Sequence, residues 1–216
     1  MPKKPTGHVG PFVVKQGAEG LTAEWNKIAW PEGKSAQEQF VMDCFVEEFR
    51  KQGATIHEII QNEENNFDFR VQTLNGYVNI DLTEFVYSDG KGNPFEGGGT
   101  WVNCLDCAKA LASLVEGKSR HYGRRGATPI DLVVYATHWR FRPNPTTIAL
   151  AQTILGAKQL TMENVFLILP LGPKRATLYL LYPILKDVLG GKSLHDFKDT
   201  RWLPLDPARF SLEKGG

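Results

Sequence analysis

The chain has 216 residues, of which 42% are apolar and 23% charged, and its net charge is +1. This length favours a single domain with a sizeable core, and the near-neutral charge excludes nucleic-acid or membrane binding through a global field. The longest charge-free apolar stretch, residues 176–185, is half of the roughly 20 residues that a membrane span needs. No apolar segment follows the first seven residues, and the three cysteines do not suit a disulfide framework, so we expect a cytoplasmic protein without a membrane partner.

The first part of the chain predicts an arm, a helix and a strand. Residues 1–34 are rich in glycine, proline and lysine, which predicts an irregular arm lying on the domain. A helix is predicted over residues 35–52, because Ser35 and Glu38 have the spacing of a capping box and apolar residues recur on one stripe. A strand over residues 54–61 follows.

Residues 67–87 are predicted to form a β-hairpin that turns at Asn75-Gly76, the dipeptide that a type I′ turn favours. In the register of that turn, Arg70 lies opposite Asp81. Because side chains alternate between the faces of a strand, the two hairpin strands would have one apolar face and one polar face.

The polar face of this hairpin carries the acidic pattern of greatest chemical interest. Asp68 and Asp81 would lie about 7–8 Å apart, a diagonal spacing that suits Mg²⁺. The other interpretation is a solvated sheet face on which Arg70 pairs with Asp81. Thr83 belongs to the same face.

A glycine-rich loop and a second helix come next. The loop, residues 88–100, lacks the spacing of a P-loop, so a weak phosphate site and a flexible flap are both open interpretations. In the helix, predicted over residues 101–116, Cys104 and Cys107 form a CxxC pair. The pair is either redox-active, since helix N-termini lower thiol pKa values, or simply small and semi-buried.

A cationic cluster follows this helix and precedes the next strand. It consists of Lys118, Arg120, His121, Arg124 and Arg125. The cluster is interpreted either as a contact to the phosphates of DNA or RNA, or as a solvated helix end where cations offset the helix dipole.

The remaining chain predicts alternating strands and helices. The apolar runs 130–136 and 164–169 predict buried strands on either side of a helix over 144–155, which implies parallel crossovers. A last helix is predicted over 173–189, kinked or split at Pro183, before an extended tail.

This element order, with Asp68 on one hairpin strand and Asp81 on the next, resembles the PD-(D/E)xK nuclease superfamily over about residues 35–169. The resemblance implies an α/β, restriction-endonuclease-like αβββαβ core, a mixed central sheet flanked by helices, with an extra αβ unit and a C-terminal helix. It divides the chain into an N-terminal arm, a nuclease-like core and a C-terminal helical extension of the same domain, namely residues 1–34, 35–170 and 171–216.

The same resemblance implies the ligands of a Mg²⁺ site. Asp68 matches the first metal-binding acid and Asp81 matches the acid of the second half-motif. A glutamate of the first helix often joins such sites, and Glu38 is the candidate, with Glu47 or Glu48 as substitutes.

Thr83 stands where the family has a lysine, and a hydroxyl does not stabilise developing phosphate charge in the same way. Lys118 is the candidate to replace that lysine, because it shares a helical stripe with inward-facing residues. The implied function is a divergent metal-dependent nuclease that hydrolyses DNA or RNA and contacts it through Lys118 and the arginines of the cluster. The alternative is a catalytically inactive nuclease-fold protein that binds nucleic acid or protein; a homodimer is compatible with either.

Overall fold

The structure is a computed structural model that describes residues 8–10, 12–17, 20–62, 67–88, 94–95, 100–123 and 130–204. Strands and helices alternate through most of the described chain. The strands are β1 His8–Val9, β2 Phe12–Gly17, β3 Gly20–Trp25, β4 Ile28–Ala29, β5 Ile56–Gln61, β6 Phe69–Thr73, β7 Gly76–Glu84, β8 Val102–Asn103, β9 Ile130–Tyr135, β10 Val165–Gly172, β11 Arg175–Tyr182 and β12 Arg201–Trp202. The α-helices are α1 Lys34–Lys51, α2 Cys104–Gly123 and α3 Pro145–Gly156.

Six strands form a mixed central sheet in the order β11-β10-β9-β7-β6-β5. The pairs β7–β9 and β9–β10 are parallel, and the other neighbours are antiparallel. In the chain, α2 lies between the first parallel pair and α3 lies between the second, so the predicted crossovers are confirmed. The protein therefore has an α/β fold.

The sheet separates two apolar cores, and the central strand β9 contributes to both. Val133 and Tyr135 pack in the core that α1 covers, whereas Leu132 and Val134 pack in the core of α2 and α3. All six residues of β9 are buried, which confirms the strand predicted from its continuous apolar run. The two-sided burial holds β9, and β7 beside it, in a fixed position.

Helix α1 begins one residue earlier than predicted, and its predicted capping box is wrong. Gly33 is the N-cap and supplies no side-chain bond, while Ser35 Oγ accepts a hydrogen bond from the Gln61 amide at 3.0 Å. The Ser35 side chain therefore connects α1 to β5 through Gln61, and Glu38 takes no part in capping the helix. The predicted stop at Gly53, which has a φ of 90°, is confirmed.

The hairpin forms from β6 and β7, but its predicted register is wrong by two residues. Arg70 pairs with Asn79 and Thr73 with Gly76, so Arg70 does not lie opposite Asp81. A shift of two residues preserves the side-chain alternation, and Arg70 and Asp81 therefore keep a common face of the sheet.

The difference in register arises in the turn. Among the described residues, Lys174 is the only non-glycine residue with a positive φ, so Asn75 does not adopt the type I′ conformation. The Thr73 hydroxyl instead accepts the Asn75 N–H at 3.2 Å and donates to the Gly76 carbonyl at 3.0 Å. The positive φ falls on Gly76 alone, at 115°.

The helix predicted over residues 173–189 is wrong, and with it the helical C-terminal extension. These residues begin with a turn at Pro173-Lys174 and continue as β11, which pairs antiparallel with β10. In a helix over these residues, Pro183 would lie in the interior, where proline removes a hydrogen-bond donor and clashes with the preceding turn. Strand β11 lies at the edge of the sheet and ends at Tyr182, so Pro183 interrupts no hydrogen bond of the sheet. In the described residues after β11 there is a 3₁₀ turn, Leu194–Phe197, and no α-helix.

The N-terminal arm is more regular than predicted. Strands β2 and β3 pair with each other, and so do β1 and β4. Trp30 anchors the arm, because it is buried and its Nε1 donates to the Thr137 carbonyl at 2.8 Å. Among the helices that the structure describes, none combines the length and apolar character needed to cross a membrane.

Candidate functional site

A cavity of about 570 Å³ opens at the end of the sheet where β7 continues beside β9 beyond its pairing with β6. Residues from α1, β7, α2 and β9 contribute to its walls, together with Gly33 and Asp68, which lie just before α1 and β6. They are Gly33, Lys34, Gln37, Glu38, Asp68, Asp81, Leu82, Thr83, Glu84, Lys118 and Tyr135. The structure thus brings together five of the residues predicted from the sequence, Glu38, Asp68, Asp81, Thr83 and Lys118.

Asp68 lies immediately before β6 and forms the last hydrogen bonds between this segment and β7. Its backbone N–H donates to the Ile80 carbonyl at 3.0 Å, and its Oδ2 accepts the Leu82 N–H at 2.7 Å. Because backbone N–H groups of a strand point sideways to the neighbouring strand, the carboxylate replaces the acceptor that β6 no longer provides. The carboxylate is therefore held close to the plane of the sheet.

Burial raises the pKa of Asp68 to about 6. The Leu82 N–H acts in the opposite direction, the charges of Asp81 and Glu38 raise the pKa further, and the Lys34 ammonium lowers it. A carboxylate that is partly desolvated and surrounded by other acids is one that a bound cation would stabilise.

Asp81 is buried on β7, and Lys118 reaches it from the end of α2. Lys118 Nζ lies 2.8 Å from Asp81 Oδ2, with the Lys118 side chain 32% exposed and the Asp81 side chain 6% exposed. The contact exists because α2 continues to Gly123, beyond the end predicted at residue 116. The ammonium group is thus held in the cavity by a carboxylate and still meets solvent.

The α1 side of the cavity carries a second group of polar residues. Lys34 Nζ lies 3.3 Å from Glu38 Oε1, and Glu38 is buried. Glu84 accepts a hydrogen bond from the Thr137 hydroxyl. Burial raises the pKa of Tyr135, and the charges of Glu84, Glu38 and Asp68 add to the effect, so its phenol stays protonated.

The interpretation of the hairpin face as a solvated surface with an Arg70–Asp81 pair is wrong. Arg70 Nε donates to Asn79 Oδ1 at 3.3 Å, and the cation that Asp81 meets is Lys118. Thr83 lines the cavity and is half-buried, which leaves a hydroxyl in the place that the resemblance gives to lysine.

Other candidates lie away from the cavity or outside the described residues. Arg120 is exposed and does not line the cavity, and Arg124 and Arg125 lie outside the described residues, as do Gly97–Gly99 of the glycine-rich loop. The substitutes for Glu38 have partners on α1 itself. Glu47 pairs with Arg50, and Glu48 pairs with Lys51.

The donor chemistry of the cavity fits Mg²⁺. Its lining residues include four carboxylates and two ammonium groups, an excess of negative charge that a divalent cation would balance. Within the described part of the chain, no three His, Cys, Asp or Glu residues are already gathered as a metal-binding group. Mg²⁺ requires fewer protein ligands, since it is usually held by one or two carboxylates together with water and phosphate oxygens. Asp68 and Asp81 are the two carboxylates of this cavity that the resemblance assigns to such a site.

Lys34, Glu84 and Tyr135 belong to the cavity and were not among the predicted site residues. Glu84 gave the one available signal, because it interrupts the alternation of β7 by lying on the apolar face. The sequence contains no signal for Lys34 or Tyr135. Lys34 precedes the predicted helix, and Tyr135 is one apolar residue in a predicted buried strand. The helix N-terminus and the strand end meet only in the folded chain.

The CxxC pair belongs to the core of α2 and α3. Cys104 and Cys107 are both buried, and burial raises the pKa of Cys107 to about 12. A redox pair needs an accessible thiolate, so the structure favours the interpretation of these cysteines as packing residues.

Comparison with known proteins gives no relative from which a role could be transferred. The chain matches no protein-family model, no curated protein and no solved structure.

Proposed function

We propose that the protein is a divergent Mg²⁺-dependent nuclease with a restriction-endonuclease-like fold of the PD-(D/E)xK type. The observation that carries the proposal is the contact between Lys118 and Asp81, 2.8 Å apart in a cavity that also holds Asp68 and Glu38. It supplies a lysine beside the acids although Thr83 occupies the usual lysine position. The mixed sheet and its crossovers are compatible with this fold.

The roles of the residues follow from their contacts. Asp68 and Asp81 would hold Mg²⁺, with Glu38 assisting, and the bound ion would polarise a phosphoryl oxygen and lower the pKa of a bound water. Lys118 would donate to a phosphoryl oxygen as negative charge develops on it. Asp81 orients Lys118, and the Leu82 N–H fixes the Asp68 carboxylate.

The second candidate is a catalytically inactive protein of the same fold that binds nucleic acid or protein. The same contact favours it in one respect, because an ammonium group on Asp81 already neutralises a carboxylate that Mg²⁺ would use. In that case Lys118 would be a structural replacement for the metal rather than a catalytic residue.

The experiment that tests the proposal combines metal binding with cleavage. Calorimetric titration with Mg²⁺ and Mn²⁺ compares the wild type with Asp81→Asn, and cleavage is assayed on single- and double-stranded DNA and RNA. The nuclease proposal expects metal binding and cleavage by the wild type and the loss of both in the variant. Wild-type protein that binds metal and cleaves none of these substrates, or binds no metal, leaves the second candidate.

A further inference from the structure

Beside the cavity, the hairpin displays an arginine between two aromatic rings. Arg70 Cζ lies 5.4 Å from the ring centroid of Phe67 and 5.8 Å from that of Tyr77. Arg70 Nε also donates to Asn79 Oδ1 at 3.3 Å, which fixes the direction of the guanidinium group. Tyr77 is 58% exposed, so a flat, cation-supported ring surface faces solvent.

Strand β7 connects this surface to the candidate site. Tyr77, Asn79 and Asp81 alternate with residues of β7 that face the core under α1, and so share a face of the sheet; Tyr77 is exposed, whereas Asn79 and Asp81 are buried. Four residues at about 3.4 Å each separate Tyr77 from Asp81 by about 14 Å, the length of about four stacked nucleotide steps. A strand whose phosphate is bound at Lys118 can therefore reach Tyr77 with a nearby base.

We infer that Tyr77 and Arg70 form a stacking platform for the unpaired bases of single-stranded nucleic acid. The inference rests on the proposed function, because it names the substrate class of the same site. Aromatic and guanidinium planes stack on bases of any sequence, and Arg70 adds a positive charge for the phosphates. In a duplex the base faces are covered by neighbouring bases, so the platform selects single strands over double strands.

The test measures binding in EDTA at low salt, where neither metal nor cleavage contributes. Fluorescence anisotropy compares labelled homopyrimidine DNA and RNA strands with the corresponding duplexes. Tyr77→Leu removes the ring and is expected to weaken single-strand binding about tenfold, whereas Tyr77→Phe keeps the ring and the affinity. Leu74→Ala is the matched control, since Leu74 lies in the turn of the same hairpin and is 72% exposed.

The outcomes separate this inference from the nuclease proposal. Single-strand binding that Tyr77→Leu weakens and Leu74→Ala does not, without any Mg²⁺-dependent cleavage, supports the platform and refutes the nuclease. Cleavage with equal affinity for single strands and duplexes in wild type and Tyr77→Leu overturns the platform and leaves the nuclease intact. A wild type that binds no single strand in EDTA, neither DNA nor RNA, also overturns the platform.

Discussion

Lys118 Nζ meets Asp81 Oδ2 at 2.8 Å although the two residues lie 37 positions apart, on a helix and on a strand of the central sheet. The carboxylate is buried and the ammonium group is partly exposed, so the pair stands at the boundary between core and cavity. If Lys118 is replaced, Asp81 loses its partner while staying desolvated, and a divalent cation becomes its natural replacement.

This relationship predicts opposite changes in metal affinity and catalysis for Lys118→Met. The proposed nuclease activity should fall by about 100-fold or more, because a donor to the developing phosphate charge is lost. Mg²⁺ should bind more tightly, because a competing cation is removed. Calorimetry and a cleavage assay measure the two effects on the same preparation.

Lys109→Met is the control for Lys118→Met. Lys109 belongs to the same helix, its side chain is 60% exposed, and it pairs with Asp106 rather than with a cavity residue. It should change neither metal binding nor cleavage. Equal hydrolysis by wild type and Lys118→Met would remove Lys118 from the proposed catalytic site.

The raised pKa of Asp68 predicts that the stability of the protein depends on pH. Its folded pKa of about 6 lies above the roughly 3.9 of an unfolded aspartate, so the protonated carboxyl favours the folded state. That contribution is complete below pH 4 and is lost as the pH rises through 6. Asp68→Asn should therefore raise the free energy of unfolding at pH 7.5, while its amide oxygen still accepts the Leu82 N–H. The gain should be well below the roughly 3 kcal/mol that corresponds to the full pKa shift, because solvent screens a partly exposed carboxylate.

Urea denaturation at pH 7.5 and pH 4 measures the gain for Asp68→Asn. The gain should disappear at the lower pH, where the wild-type carboxyl is protonated too. Asp106→Asn serves as the control, because the Asp106 side chain is 62% exposed and should respond little at either pH. A gain of equal size at both pH values would contradict the raised pKa.

The hairpin shows what sequence patterns can and cannot establish about this site. Alternation placed Asp81 and Arg70 on one face, and the structure agrees because a register error of two residues leaves the faces unchanged. The pairing itself was wrong, because the Thr73 hydroxyl stabilises a different turn from the one that Asn75-Gly76 favours. Turn chemistry that depends on a side chain outside the dipeptide is missed by a two-residue signal.

The edge of the sheet shows a second limit. β11 has many apolar residues and little regular alternation, so its sequence also suited a helix, and only pairing with β10 decides for a strand. The approach of Lys118 to the sheet was predictable from its helical stripe. The contribution of Lys34 and Tyr135 to the cavity was not, because it depends on how α1 and β9 meet in three dimensions.

The hydrogen bonds of Thr137 predict that its substitution changes stability, independently of the proposed catalysis. Its hydroxyl donates to Glu84, and its carbonyl accepts the Trp30 Nε1 hydrogen bond, so it links the cavity wall to the N-terminal arm. Thr137→Val removes the hydroxyl at nearly constant volume and should lower the free energy of unfolding by about 1–3 kcal/mol. Thr137→Ser keeps the hydroxyl donor and should recover most of that loss. Chemical denaturation compares the wild type with both variants. A Thr137→Val variant as stable as the wild type would contradict the role of the hydroxyl.

Two glycine-to-alanine substitutions should change stability in opposite directions. Gly76 has a φ of 115°, Gly117 lies inside α2 without a positive φ, and a Cβ atom would meet nothing within 4 Å at either position. Steric clashes are therefore absent, and backbone conformation decides whether each substitution raises or lowers stability.

Gly76→Ala should lower the free energy of unfolding by about 1–2 kcal/mol, because an L residue is strained at positive φ. Gly117→Ala should raise it by about 0.4–1 kcal/mol, because alanine favours the helix and restricts the unfolded chain. Urea denaturation measures both, and a neutral or stabilising Gly76→Ala would show that the turn does not require the conformation described.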